Sequence, residues 1–161
     1  MKAMFRALLL LTAIFGAGMA RAEFTARPMT AISLDTVLAD AQRLAEARPG
    51  AQVLRIEGKS MLPFFGEGSV VVVKKIDPVK LRAGMVVVYT NRFGETVAHR
   101  LVAAGQGGWV AQGYNNEQAD STLVNSENLI GVVYATFHSN GCSNLLAAVA
   151  SIPAALAAPA R

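Results

Sequence analysis

Cysteine is almost missing from this chain: Cys142 is the only one, so no intrachain disulfide can form. Histidine is nearly as scarce, with only His99 and His138. One thiol and two imidazoles do not supply the usual ligand set of a zinc or iron site, so the sequence implies no metal and no cofactor. A block of like charge is also missing. The 161 residues carry 15 Lys and Arg against 11 Asp and Glu, a net +4, but Lys2, Arg6 and Arg21 all fall in the first 22 residues. Without them 12 basic residues face 11 acidic ones. A near-neutral remainder has no electrostatic footprint for nucleic acid, which excludes that partner.

What is present begins with MKAMFRALLLLTAIFGAGMARAEF, a basic start followed by an apolar stretch from Ala7 to about Met19. That stretch falls short of the ~20 residues needed to span a bilayer core. It closes on Ala20-Arg21-Ala22, an A-x-A cleavage pattern. Residues 1–22 therefore read as an export signal cut after Ala22, with an uncleaved signal anchor as the alternative. Either places the folded part on the periplasmic or extracytoplasmic side.

Residues 23–50 form an N-terminal segment whose stretch SLDTVLADAQRLAEARPG predicts an amphipathic helix over 33–48. Ser33 is its N-cap, Leu34, Val37, Leu38, Ala41, Leu44 and Ala45 share a face, and Pro49-Gly50 stops it. Over 51–138 the pattern changes. AQVLRIEG, SVVVVKK, MVVVYTN, ETVAHRLVAAG, GWVAQG and NLIGVVYATFH are short, rich in valine and separated by Gly, Asn, Asp and Pro. Asn91 to Gly94 and Gly105 to Gly108 read as hairpin turns. Six such strands predict a mainly β fold, a coiled antiparallel sheet or partial barrel. Residues 139–161 are an Ala-rich apolar tail broken by Pro153 and Pro159; Ala carries little transfer free energy, so the segment fits a docked helix or a loose tail better than a membrane contact. Lys74 and Lys75 end a strand and read as solvated, and His138 follows the last strand as a surface residue.

Three pieces carry chemistry. Ser60 stands in GKSMLPFF, on a Gly- and Pro-flanked corner ahead of a buried strand, and is expected where that strand starts. His99 stands alone among apolar residues in VAHRLV. Asp120 closes GYNNEQAD. Each has a plain explanation: a turn serine, a hydrogen-bonded strand histidine, a loop aspartate making an Asx turn. Together they offer more. A serine hydroxyl needs a base to take its proton, imidazole suits that task near neutral pH, and a carboxylate on the other ring nitrogen fixes the tautomer.

The ordered boxes GKSMLPFF, GEGSVVVVKK, LRAGMVVVY, VAHRLV, GYNNEQAD and ENLIGVVY resemble those of the signal peptidase and LexA-type serine peptidases, over about residues 55 to 134. Most bacterial signal peptidases place a lysine where this chain has His99. VAHRLV and GYNNEQAD look instead like the archaeal and endoplasmic-reticulum type, with Ser, His and a downstream Asp. The resemblance implies Ser60 as nucleophile, His99 as general base and Asp120 as assisting carboxylate. It also implies the Ser60 N–H as oxyanion donor, and Met61, Pro63 and Phe64 beside the substrate, where an apolar surface could also meet a membrane. Two positions depart from the family pattern. Tyr114 stands where signal peptidases carry an acid, and Gly58 where many bacterial members have a hydroxyl that helps hold the oxyanion. Loss of one such donor costs ~10²–10³ in rate, so slower catalysis or a substitute donor is expected.

The reading is an exported serine endopeptidase that cuts extended peptide or protein segments at small residues. The alternative is the same fold kept as a binding or assembly module. A self-cleaving LexA-type protein without its DNA-binding domain is a third reading, opposed by the export signal and the lack of a basic helix.

Overall fold

The computed structural model describes residues 26–140. The expected leader and nearly all of the Ala-rich tail lie outside the described residues. The helix forms where its pattern places it, as α1 (Leu34–Glu46), and Ser33 caps it by accepting from the Thr36 N–H at 3.3 Å. It ends two residues sooner than the pattern suggests, with Ala47 as C-cap. Leu34, Val37, Ala41 and Ala45 are buried against Val70 and Val72, with Leu38 and Leu44 at the margin. The apolar stripe is thus a packing face, which is where most helical stability arises.

All six strands appear: β1 (Ala51–Arg55), β2 (Val70–Lys74), β3 (Val86–Thr90), β4 (Thr96–Gly105), β5 (Gly108–Gln112) and β6 (Leu129–Phe137). They make one sheet in the order β1-β2-β6-β3-β4-β5, every neighbouring pair antiparallel. The sheet is open, with β1 and β5 at its edges. Register shifts at Val72/Val73, Val88/Tyr89 and Leu101/Ala103 mark bulges, which bend strands and add twist. One apolar cluster lies under α1. A second gathers Leu81, Val87, Tyr89, Leu101, Ala111 and Val124, and a third joins Val71, Val73 and Val88 to Leu54, Ile56 and Ala98. No helix among the described residues is long and apolar enough to cross a membrane.

An N-terminal strap leads into α1. The Arg27 guanidinium donates to the Glu67 carbonyl at 2.6 Å and the Ser139 carbonyl at 3.0 Å, and the Thr30 hydroxyl to the His138 carbonyl at 2.6 Å. His138 is half-buried under this strap rather than free on the surface. Burial, then the nearby Arg27 charge, hold its imidazole below the usual histidine pKa.

Candidate active site

Between β1 and β2 the chain makes a closed excursion that carries Ser60. The Ile56 N–H donates to Ser69 O at 2.8 Å, Gly68 N–H to Ile56 O at 3.1 Å and Glu67 N–H to Gly58 O at 2.9 Å, so the loop is zipped at its base. Gly58 opens the turn at φ +82°, a conformation that side chains other than glycine rarely adopt. That is a physical reason for glycine at this position. Ser60 follows on a turn closed by Leu62 N–H to Lys59 O (3.1 Å) and Phe64 N–H to Met61 O (3.0 Å). It therefore sits well before β2 begins at Val70, not at the strand's start, because the turn that buries Met61, Leu62 and Phe65 comes between them.

His99 lies on β4, opposite Val87 of β3, and is 6% exposed. Its Nε2 is 2.9 Å from Ser60 Oγ and its Nδ1 is 2.6 Å from Asp120 Oδ2. A carboxylate oxygen only accepts, so Nδ1 carries the proton and Nε2 is left to accept from the serine hydroxyl. Asp120 comes from the loop after β5 and is held there by its N–H donating to Ala111 O at 2.8 Å. The structure thus brings the three residues singled out in the sequence into one hydrogen-bonded line, with serine and carboxylate on opposite sides of the imidazole.

The GYNN segment holds this line from behind. The Asn115 N–H donates to the Ser60 carbonyl at 2.8 Å. Gly113 comes so close that a Cβ there would lie 2.6 Å from the same carbonyl oxygen. No acceptor among the described residues takes the Ser60 N–H. Tyr114 packs against Phe64 with the rings tilted by 50° and their centroids 4.3 Å apart, and the Arg100 guanidinium lies 4.3 Å over its ring. The cation thus meets Tyr114 through its ring face.

Ser60, His99 and Asp120 open onto a cleft of about 620 Å³. Met61 lines it, as do Leu54, Ile56, Val88 and Ala98 of the third cluster. Pro63 and Phe64, expected beside the substrate, do not line it; Phe64 is 53% exposed and turned to Tyr114. The cleft is flanked by two unpaired backbone edges. One is the outer edge of β1. The other is the first half of β4, because β5 pairs with β4 only from Arg100 onward. Among the described residues no cluster of His, Cys, Asp and Glu could hold a metal ion.

Sequence reasoning missed one member of the site. Tyr89 on β3 is fully buried, and its hydroxyl donates to Asp120 Oδ2 at 2.5 Å, the same oxygen that His99 uses. Its only signal was a lone polar tip closing the valine run of MVVVY, which packing explains equally well.

A curled antiparallel sheet that presents a serine, a histidine and an aspartate in hydrogen-bond contact beside a cleft has the layout of a serine-type peptidase. A family model described as Peptidase S24-like matches residues 16–134, most of the chain, and the protein belongs to that family. Comparison with curated proteins found no match.

Proposed function

We propose that this protein is an exported serine endopeptidase of signal-peptidase type, working through Ser60, His99 and Asp120. The observation that carries the reading is the unbroken contact from Ser60 Oγ through His99 to Asp120 at the mouth of the cleft. A substrate segment enters extended and pairs with the free edges of β1 and β4, since unpaired strand edges recruit extended peptides through their main chain. Small residues flank the cut bond, the preference the family resemblance implies.

His99 Nε2 takes the serine proton as Ser60 Oγ attacks the carbonyl carbon, and the Ser60 N–H faces the developing oxyanion. The tetrahedral intermediate collapses, the C–N bond breaks, and the imidazolium returns the proton to the leaving amine. Water, deprotonated by His99, then hydrolyses the acyl-enzyme and frees Ser60. Asp120 keeps Nδ1 protonated and stabilises the imidazolium throughout.

A fluorophosphonate probe tests this without knowing the substrate. Ser60 should be labelled in the parent, and label should vanish in Ser60→Ala. A folded parent that takes no label at Ser60 would favour the binding-module reading. Export rests on the leader sequence: the mature chain should begin at Glu23, and N-terminal sequencing that finds Met1 in a membrane fraction would establish an anchor instead.

A further inference from the structure

Asp120 belongs to an irregular loop, and Ser60 to a turn. Tyr89 differs from both. It lies on a strand bonded on both sides, with its ring packed among Leu81, Val87, Leu101, Ala111 and Val124. Of the groups that touch Asp120, it is the one fixed most firmly by the core. We propose that Tyr89 is a positioning residue of this site, its core-held hydroxyl fixing the Asp120 carboxylate and, through it, the His99 ring. The inference rests on the peptidase reading for its kinetic consequence, though not for its geometry.

Asp120 Oδ2 receives two donors, Tyr89 Oη at 2.5 Å and His99 Nδ1 at 2.6 Å. Two donors converging on one oxygen define the carboxylate's rotation, which the backbone bond to Ala111 alone does not. Hydrogen bonds to an ionised acceptor are short and roughly twice as strong as neutral ones, so this contact is a real constraint. Burial, then the hydrogen bond and charge of Asp120, push the Tyr89 hydroxyl well above its ordinary pKa. Tyr89 therefore stays a donor and does not exchange its proton with the carboxylate. The hydroxyl also draws electron density from Oδ2 and tempers the pull of Asp120 on the imidazole N–H.

Tyr89→Phe removes the donor and keeps the ring that fills the core. The His99 Nδ1 proton should be followed by NMR in folded protein without substrate, where the chain's two histidines are told apart with His138→Gln. Its resonance is expected to move downfield in Tyr89→Phe, because Oδ2 then has a single donor. With a cleaved peptide, kcat should fall about ten-fold at unchanged KM, the size expected when a charge-assisted bond that orients a catalytic group is lost. In an Asp120→Ala background, which leaves the Tyr89 hydroxyl no side-chain acceptor at this position, the same change should leave kcat unaltered. A residue that merely fills the core would lower Tm and leave the resonance and kcat where they are in the parent. That result overturns the inference, as does an equal loss of kcat in the Asp120→Ala background. Should the parent show no cleavage dependent on Ser60, the peptidase reading fails, while a shifted resonance would still establish the Tyr89 contact.

Discussion

At the residue scale, nucleophile and base stand 2.9 Å apart and act on a single proton, so their contributions should not add. Ser60→Ala and His99→Ala are each expected to lower kcat/KM to near background, with the double mutant little worse than either, measured on one peptide at one pH. Asp120→Asn should cost less or about as much, because it disturbs tautomer and orientation while the two reacting groups remain. Cleavage undiminished in Ser60→Ala would remove this assignment. The sequence could name these three residues because GKSMLPFF, VAHRLV and GYNNEQAD stand in an ordered set of boxes that resembles a known family; each residue alone read as a turn serine, a strand histidine or a loop aspartate. It could not name Tyr89. That role depends on which face of β3 meets the loop after β5, and register across non-adjacent segments leaves no local trace. Nor could it place Phe64, whose partner Tyr114 lies fifty residues away in the chain.

At the scale of elements, the excursion between β1 and β2 and the segment after β5 are built against each other. The narrowest point is Gly113, where a Cβ would lie 2.6 Å from the Ser60 carbonyl and 3.0 Å from the Asn116 side chain. Gly113→Ala should therefore push the two segments apart. Overpacking of this kind costs about 1–3 kcal/mol, read as a lower denaturation midpoint. The loss of activity should exceed what that destabilisation explains, since a displacement of about 1 Å at a reacting group can cost ~10²-fold. Gly107→Ala makes the comparison: no atom would meet its Cβ, so it carries only the strain of a φ of +89° in the turn between β4 and β5, which does not line the cleft. Equal activity in the two folded variants would show that contact with the nucleophile turn is immaterial. The strands themselves were legible because valine-rich runs bounded by Gly and Asn have few other uses, and α1 because its stripe and Ser33 cap agree. Their spatial order was not. β6 inserts between β2 and β3, joining residues far apart in sequence, and only the fold as a whole decides that.

At the scale of the whole molecule, the strap from residue 26 to α1 ties the base of the nucleophile excursion to the end of β6. Arg27 reaches both Glu67 and Ser139, and His138 lies beneath, its Nδ1 3.5 Å from Ser69 Oγ. Burial and the Arg27 charge both favour neutral imidazole in the folded state. The folded chain thus binds fewer protons at His138 than the unfolded chain does, between the lowered folded value and the ordinary 6.5. Stability from this residue is fully present above that ordinary value and declines as pH falls through it, levelling off once both states are protonated. Protonation would set a second cation beside Arg27, so the strap should loosen before the sheet does. The expectation is a Tm that drops between about pH 7 and 5 in the parent and drops less in His138→Gln, with amides of residues 26–33 gaining hydrogen exchange first. Most carboxylates titrate below this window, and the comparison with His138→Gln separates this imidazole from that of His99. An identical Tm profile in parent and variant would mean that His138 carries no such coupling, and that the strap answers to Arg27 and Thr30 alone.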